Sequence, residues 1–155
     1  MATSEKPRGS LPDELKTKQI LLVCDENQEY LQIKKWLSQM GFDNVEQLNQ
    51  AFSRIYLLKF LDELQAKVNP PARKQFNLII ICHTHYIDVF EIMSWLRGKQ
   101  AAEDAAVLVV SEVSQEKALM ALIGKTSING FLARPISFDV FQKEVLMLLK
   151  EQYNF

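Results

Sequence analysis

The 155-residue chain predicts an α/β fold: a five-stranded, doubly wound parallel sheet in the strand order 2-1-3-4-5, with an extended second helix. Three observations predict it. Short runs that are apolar throughout recur along the chain, as strands buried on both faces require. Stretches with helical spacing of apolar residues alternate with those runs, so each unit is a strand followed by a helix. Right-handed crossovers then wind the units onto both faces of one sheet.

Ile20-Leu21-Leu22-Val23-Cys24 is the first such run. Asp25-Glu26-Asn27 ends it and opens a helix with Tyr30, Ile33, Leu37 and Met40 on one face, stopped by Gly41. Residues 45–48 form a weaker second strand. An apolar helical stretch follows over residues 51–68 and closes at Asn69-Pro70-Pro71. Ile55, Leu58, Leu61 and Leu64 make one face of it, and Phe52, Tyr56 and Phe60 add an aromatic stripe. Residues 76–81 are the clearest strand, left by Cys82-His83-Thr84-His85. A helix over residues 89–97 ends at Gly98. Residues 107–110 are an all-apolar strand ending at Ser111-Glu112, and Ser114 caps a helix to residue 123. Residues 128–132 are the fifth strand, ended by Arg134-Pro135. Ser137 caps a last helix with Phe138, Phe141, Val145, Leu148 and Leu149 on its apolar face.

The bulk numbers bound the class. The chain is 48% hydrophobic and 24% charged, a globular profile long enough for one core-bearing domain. With 18 basic and 19 acidic residues, net charge -1, it has no electrostatic signature for nucleic acid or an anionic membrane. No apolar run approaches the roughly 20 residues that span a bilayer. The two cysteines fit no disulfide framework, so a reducing, cytoplasmic setting is expected. Residues 1–17 are polar, carry Pro7, Gly9 and Pro12, and lack an apolar secretory core; they read as a flexible tail ahead of a single domain over 18–155.

In open parallel sheets ligands bind beyond the C-terminal strand ends, so the loops beginning at Asp25, Cys82, Ser111 and Arg134 matter most. Together they resemble the response-regulator receiver (CheY-like) family, over residues 18–150. The resemblance implies a receiver/flavodoxin-like (βα)5 fold and roles for the loop residues. Asp25-Glu26 stands where receivers carry a magnesium-binding acidic pair. Cys82 stands where they carry the phospho-accepting aspartate, at the end of the third strand. Asp88-Val89-Phe90-Glu91 resembles an Asp-Gly-x-Glu helix opening without its glycine. Ser111 takes the place of the hydroxyl that reads the phosphoryl group, and Phe131 that of the switch aromatic. Arg134-Pro135 replaces a Lys-Pro whose peptide is commonly cis.

The departures define a degenerate phosphorylation pocket: Asp25, Glu26, Cys82, Ser111, Arg134 and Pro135. A cysteine cannot form an acyl phosphate, and the resemblance is therefore to a pseudo-receiver branch. With the third-strand carboxylate missing, Asp25-Glu26 reads as a vestigial pair, Glu26 lying near a helix N-terminus that favours negative charge. Arg134 is expected to neutralise Asp25 and Glu26 in a fixed ion pair, its planar fork replacing a flexible point charge. The second crossover is about a dozen residues longer than is usual in that family, by the resemblance.

The expected function is a phosphorylation-independent signalling or adaptor module, not an enzyme and without metal or cofactor, that binds a signalling protein partner or a second copy of itself. No output domain is expected after residue 150, so the output is expected to be a surface. Candidate interface residues are Phe52, Tyr56, Phe60, Met120, Val140, Glu144 and Met147. Two other readings stay open. One is an atypical phospho-receiver of a two-component phosphorelay, with phosphate on a histidine or another nearby group. The other is a small metal or thiol protein centred on Cys82, His83 and His85, whose sulfur and imidazole suit zinc; Cys24, on a neighbouring strand, can approach Cys82.

Overall fold

In the computed structural model, the described residues are 17–48, 59, 76–83, 89–96, 105–112 and 128–153. They form β1 (Gln19–Val23), α1 (Asn27–Met40), β2 (Asn44–Leu48), β3 (Leu78–Cys82), α2 (Val89–Leu96), β4 (Ala106–Ser111), β5 (Ile128–Ala133) and α3 (Phe138–Tyr153). The five strands make one all-parallel sheet in the order β2-β1-β3-β4-β5, as expected. The helix expected over 51–68, apart from Lys59, the helix over 114–123, the tail 1–16, and Phe52, Tyr56, Phe60, His85 and Met120 lie outside the described residues.

Burial follows position in the sheet. Every residue of β3 and β4 is buried, and so are residues 20–23 of β1. The edge strands β2 and β5 are only partly covered, and their burial is mixed along the strand. Alternate residues split into two apolar layers. Ile20, Leu22, Cys24, Leu78, Ile80, Cys82, Leu108 and Val110 pack beneath α1 and α3. Leu21, Val23, Ile79, Ile81, Val107 and Val109 face the other way, with Val89 and Ile92 of α2. Each fully buried Leu, Ile or Val contributes about 1.5–3 kcal/mol.

The third strand begins two residues later than the apolar run suggests, because Asn77 joins strands with its polar groups. Its Oδ1 accepts from the Gln19 N–H at 2.8 Å, and its carbonyl accepts from the Ala106 N–H at 3.0 Å. A register shift between Val107 and Leu108 leaves Asn129 bulged from β5, and its Oδ1 repairs the ladder by accepting from the Val107 N–H at 2.8 Å.

Caps set the helix ends. Gly41, at φ 100°, stops α1 and donates to Ser38 O, as a left-handed C-terminal residue does. Ser137 Oγ accepts from the Val140 N–H at 3.3 Å and starts α3. Trp36, which the sequence reading leaves off the α1 face, ties α1 to α3 through Phe141 and Phe138, with ring centroids 5.3 and 5.9 Å apart.

Candidate functional site

The C-terminal ends of β1, β3, β4 and β5 converge on one cluster. The β1–β3 register pairs Val23 with Ile81, which sets Cys24 beside Cys82. Both cysteines are fully buried free thiols. Glu29, from the first turn of α1, completes a group with them: the two sulfurs and a carboxylate oxygen lie within 4.8 Å of one another. The Cys24 thiol donates to Glu26 O at 3.6 Å and lies 3.9 Å from Glu29 Oε1.

Arg134 closes the cluster from the end of β5, though not on the expected partners. Its Nε donates to Glu29 Oε2 at 2.7 Å and its Nη2 to Glu29 Oε1 at 2.8 Å, a two-point fork on one carboxylate. Nη2 also donates to His83 O at 2.9 Å, and Nη1 reaches the exposed Glu112 at 3.4 Å. The expectation that Arg134 neutralises Asp25 and Glu26 is therefore corrected. Glu26 is instead the N-cap of α1: its side chain accepts from the Gln28 and Glu29 N–H groups at 3.2 and 2.7 Å and is held out toward solvent. Asp25 stays half-buried just beyond β1.

The charges and thiols perturb one another. The Cys82 thiol is held well above its ordinary range, first by its hydrogen bond with Cys24, then by burial and the nearby Cys24 and Glu29; Arg134 works against these. Arg134 is raised in turn, chiefly by its hydrogen bonds to Glu29, and stays charged.

The remaining site residues fall as follows. Ser111 ends β4, fully buried, and its hydroxyl has no hydrogen-bond partner among the described residues. Phe131 is half-buried and packs on the layer beneath α2, less enclosed than a fixed core aromatic. The Arg134-Pro135 peptide is cis, in keeping with the resemblance. His83 uses Nδ1 to accept from the Val89 N–H at 3.2 Å, at the start of α2. Val140 and Met147 project from α3, 50% and 46% exposed. Glu144 is only partly exposed: its Oε2 lies 2.6 Å from where a Cβ on Gly130 would sit, so it lies over β5 instead of standing free. Beside the cluster, a groove of about 420 Å³ runs along α1 to the segment after β5, lined by Ile33, Trp36 and Ile136 together with Glu26, Glu29, Glu112 and Arg134. Three carboxylates against one guanidinium favour a cationic visitor there over an anionic one.

The resemblance to receivers implies magnesium at this end of the sheet. The residues do not fit it. It needs several hard oxygen donors in near-octahedral array, and here the central strand offers a thiol in place of a carboxylate and Glu26 is spent on capping a helix.

Sequence reasoning missed Glu29 and Glu112; Cys24, expected in the core and able to approach Cys82, is both buried in the core layer and beside Cys82. A signal existed for Glu29. It stands three residues after the acidic N-cap Glu26, the spacing of a capping pair, but its side chain turns to Arg134.

No family model matches the chain, and no curated protein matches it. Solved structures do. A chain from Rhodopirellula baltica described as adenylate cyclase superposes with a TM-score of 0.67 at 16% identity, covering 88% of this chain and 90% of that one. The signal receiver domain of an HD domain-containing protein from Pseudomonas fluorescens Pf-5 gives 0.66 at 14% identity, covering 90% and 91%. A CheY-like response regulator receiver domain protein from Methanospirillum hungatei JF-1 gives 0.63 at 16% identity, covering 89% and 98%. The chain has the receiver fold. Within that fold, the cluster of Cys24, Glu29, Cys82 and Arg134 lies at the C-terminal strand ends, where ligands of open α/β sheets bind. Among the described residues, no helix is long and apolar enough to cross a membrane.

Proposed function

We propose that this chain is a two-component-type signalling module that works without aspartyl phosphorylation and transmits by binding a protein partner. The observation that carries the reading is Cys82: a fully buried thiol, with its proton held firmly, stands at the end of the central strand. A thiol there forms no acyl phosphate. The second support is Arg134. The residue in the phosphoryl-pairing place is engaged on both Glu29 oxygens and on His83 O, and an incoming phosphoryl group would have to displace them. Phosphate on His83 is disfavoured too, because Nδ1 serves as an acceptor for α2.

The output surface is α3. Val140 and Met147 lie seven residues apart, two helical turns, which places both on one exposed stripe. Exposed apolar side chains so placed suit a protein partner or a second copy. Partner identity, homodimerisation and a cytoplasmic setting belong to this proposal, as does the absence of a catalytic step.

Two measurements test it. Incubation with acetyl phosphate and magnesium, followed by intact mass, leaves the protein unchanged; one added phosphoryl group on a mapped residue would overturn the reading. Val140→Glu with Met147→Glu lowers capture of the native partner at least tenfold while changing stability by no more than about 0.5 kcal/mol per site. Undiminished capture removes α3 as the output.

A further inference from the structure

Both cysteines of the chain end in the same place. They come from the ends of adjacent parallel strands, on the layer beneath α1 and α3, and Glu29 reaches them from α1. We propose that Cys24, Cys82 and Glu29 form a binding site for a thiophilic divalent metal ion of the zinc class. The proposal is independent of the partner-binding reading.

Donor chemistry comes first. Two sulfurs and one carboxylate oxygen suit a borderline-soft ion and exclude a hard one. With metal–sulfur bonds of about 2.3 Å, sulfurs in a tetrahedral site lie about 3.8 Å apart. The three donor atoms already lie within 4.8 Å of one another, so side-chain rotation of about 1 Å gathers them, on the bond lengths of such sites. Three protein donors leave a fourth position for water or a partner's side chain, and Glu29 also lines the adjoining groove.

Charge decides which ion. Two neutral thiols, a Glu29 carboxylate and the Arg134 guanidinium sum to zero. Binding a divalent ion converts both thiols to thiolates and releases two protons to solvent, with no change of oxidation state. The sum is again zero. A monovalent soft ion keeps that balance only by displacing one proton, which leaves the second sulfur a protonated thiol and a poor ligand, so the full donor set suits a divalent ion. The outer sphere is also built. Arg134 holds both Glu29 oxygens, at 2.7 and 2.8 Å, and is itself anchored by His83 O. Each carboxylate oxygen keeps a lone pair for metal, and hydrogen-bonded ligands of this kind are preorganised.

The test uses the full chain, reduced with a non-chelating phosphine and stripped with a chelator. It is titrated with Zn²⁺ against a chromophoric competitor, and separately with Co²⁺. Expected are one Zn²⁺ per chain, a sulfur-to-cobalt charge-transfer band, and an affinity that climbs up to about 100-fold per pH unit below the thiol range, because two protons leave. Cys24→Ala and Cys82→Ala each remove about half the band and weaken binding at least 100-fold; Glu29→Gln weakens it about tenfold and keeps the band. Should the cysteine variants fail to fold, the wild-type cobalt spectrum still decides, since only thiolate ligation yields the band. No stoichiometric uptake by reduced protein overturns the proposal, including the case in which mild oxidation merely joins the two thiols. Uptake lost in His83→Ala or His85→Ala and retained in both cysteine variants overturns it in favour of a histidine site.

Discussion

Along β3 every side chain from Leu78 to Ile81 meets hydrocarbon, and the same holds on the neighbouring stretches of β1 and β4; one position further, at Cys24, Cys82 and Ser111, the company becomes thiol, carboxylate, hydroxyl and guanidinium. The strand interiors are redundant, for many residues of similar size specify one packing. The strand ends are not, because the charged groups there, Arg134 and Glu29, depend on specific partners from other elements. Damage to the interior should therefore cost volume, and damage to the ends should cost pairing.

The largest effect belongs to the interior. Phe141 is fully buried and packs at a tilt against Trp36, holding α3 to α1. Phe141→Ala is expected to cost about 3–5 kcal/mol in denaturant unfolding. A loss under about 1 kcal/mol, well short of that range, would mean that α3 is not part of the cooperative core.

Next comes the pair at the ends. Arg134 and Glu29 are 19% and 14% exposed, less enclosed than a fully buried pair. Arg134→Ala strands Glu29 and should cost about 2–3 kcal/mol. Arg134→Lys keeps the charge but not the fork and should cost about 1 kcal/mol. If Ala and Lys prove equal, the fork carries no weight and the contrast between interior and ends weakens.

Gly130 sharpens the contrast, for it lies on both sides of it. A Cβ there would meet Glu144 Oε2 at 2.6 Å and Leu108 and Leu148 methyls at 3.3 Å. The carboxylate can swing away, whereas the methyls sit in packed core. Gly130→Ala should cost about 1 kcal/mol from overpacking, read as a shifted denaturant midpoint at unchanged slope. Smaller still is Glu26→Ala, which removes the α1 cap for about 0.5–1 kcal/mol; a Gln at 26, still able to accept, should recover part of it.

The same division governs what could be read from the sequence. The strands and the caps at Gly41 and Ser137 were legible because apolar periodicity and capping chemistry are local, and the handedness of the crossovers then ordered the strands. The mixed burial of β5 and its bulge at Asn129 were not; they depend on which strand lies at an edge. At the site, Cys82, Ser111 and Arg134 were placed correctly at their strand ends by the loop pattern. Arg134's partner was not, since Asp25, Glu26 and Glu29 are all acidic and near β1, and the choice among them turns on helix direction. Once Glu26 is the N-cap, Glu29 is carried one turn inward over the sheet and Glu26 is left outside.

The smallest expected effect is a pH dependence that isolates the ends from the interior. Cys82 is the buried thiol whose proton is held more tightly in the folded chain than in the unfolded one. Its contribution to stability is thus complete below the ordinary thiol range, near ~8.5, and is lost as pH climbs from there through the folded value. Tyr30 is raised as well, chiefly by burial, so its loss begins higher, near ~10. Unfolding of metal-free protein followed across the alkaline range should fall in two stages, and Cys82→Ala should erase the first stage and spare the second, whatever its cost in packing. A first stage that persists in Cys82→Ala would assign the proton to another group and leave the thiol pair without electrostatic consequence.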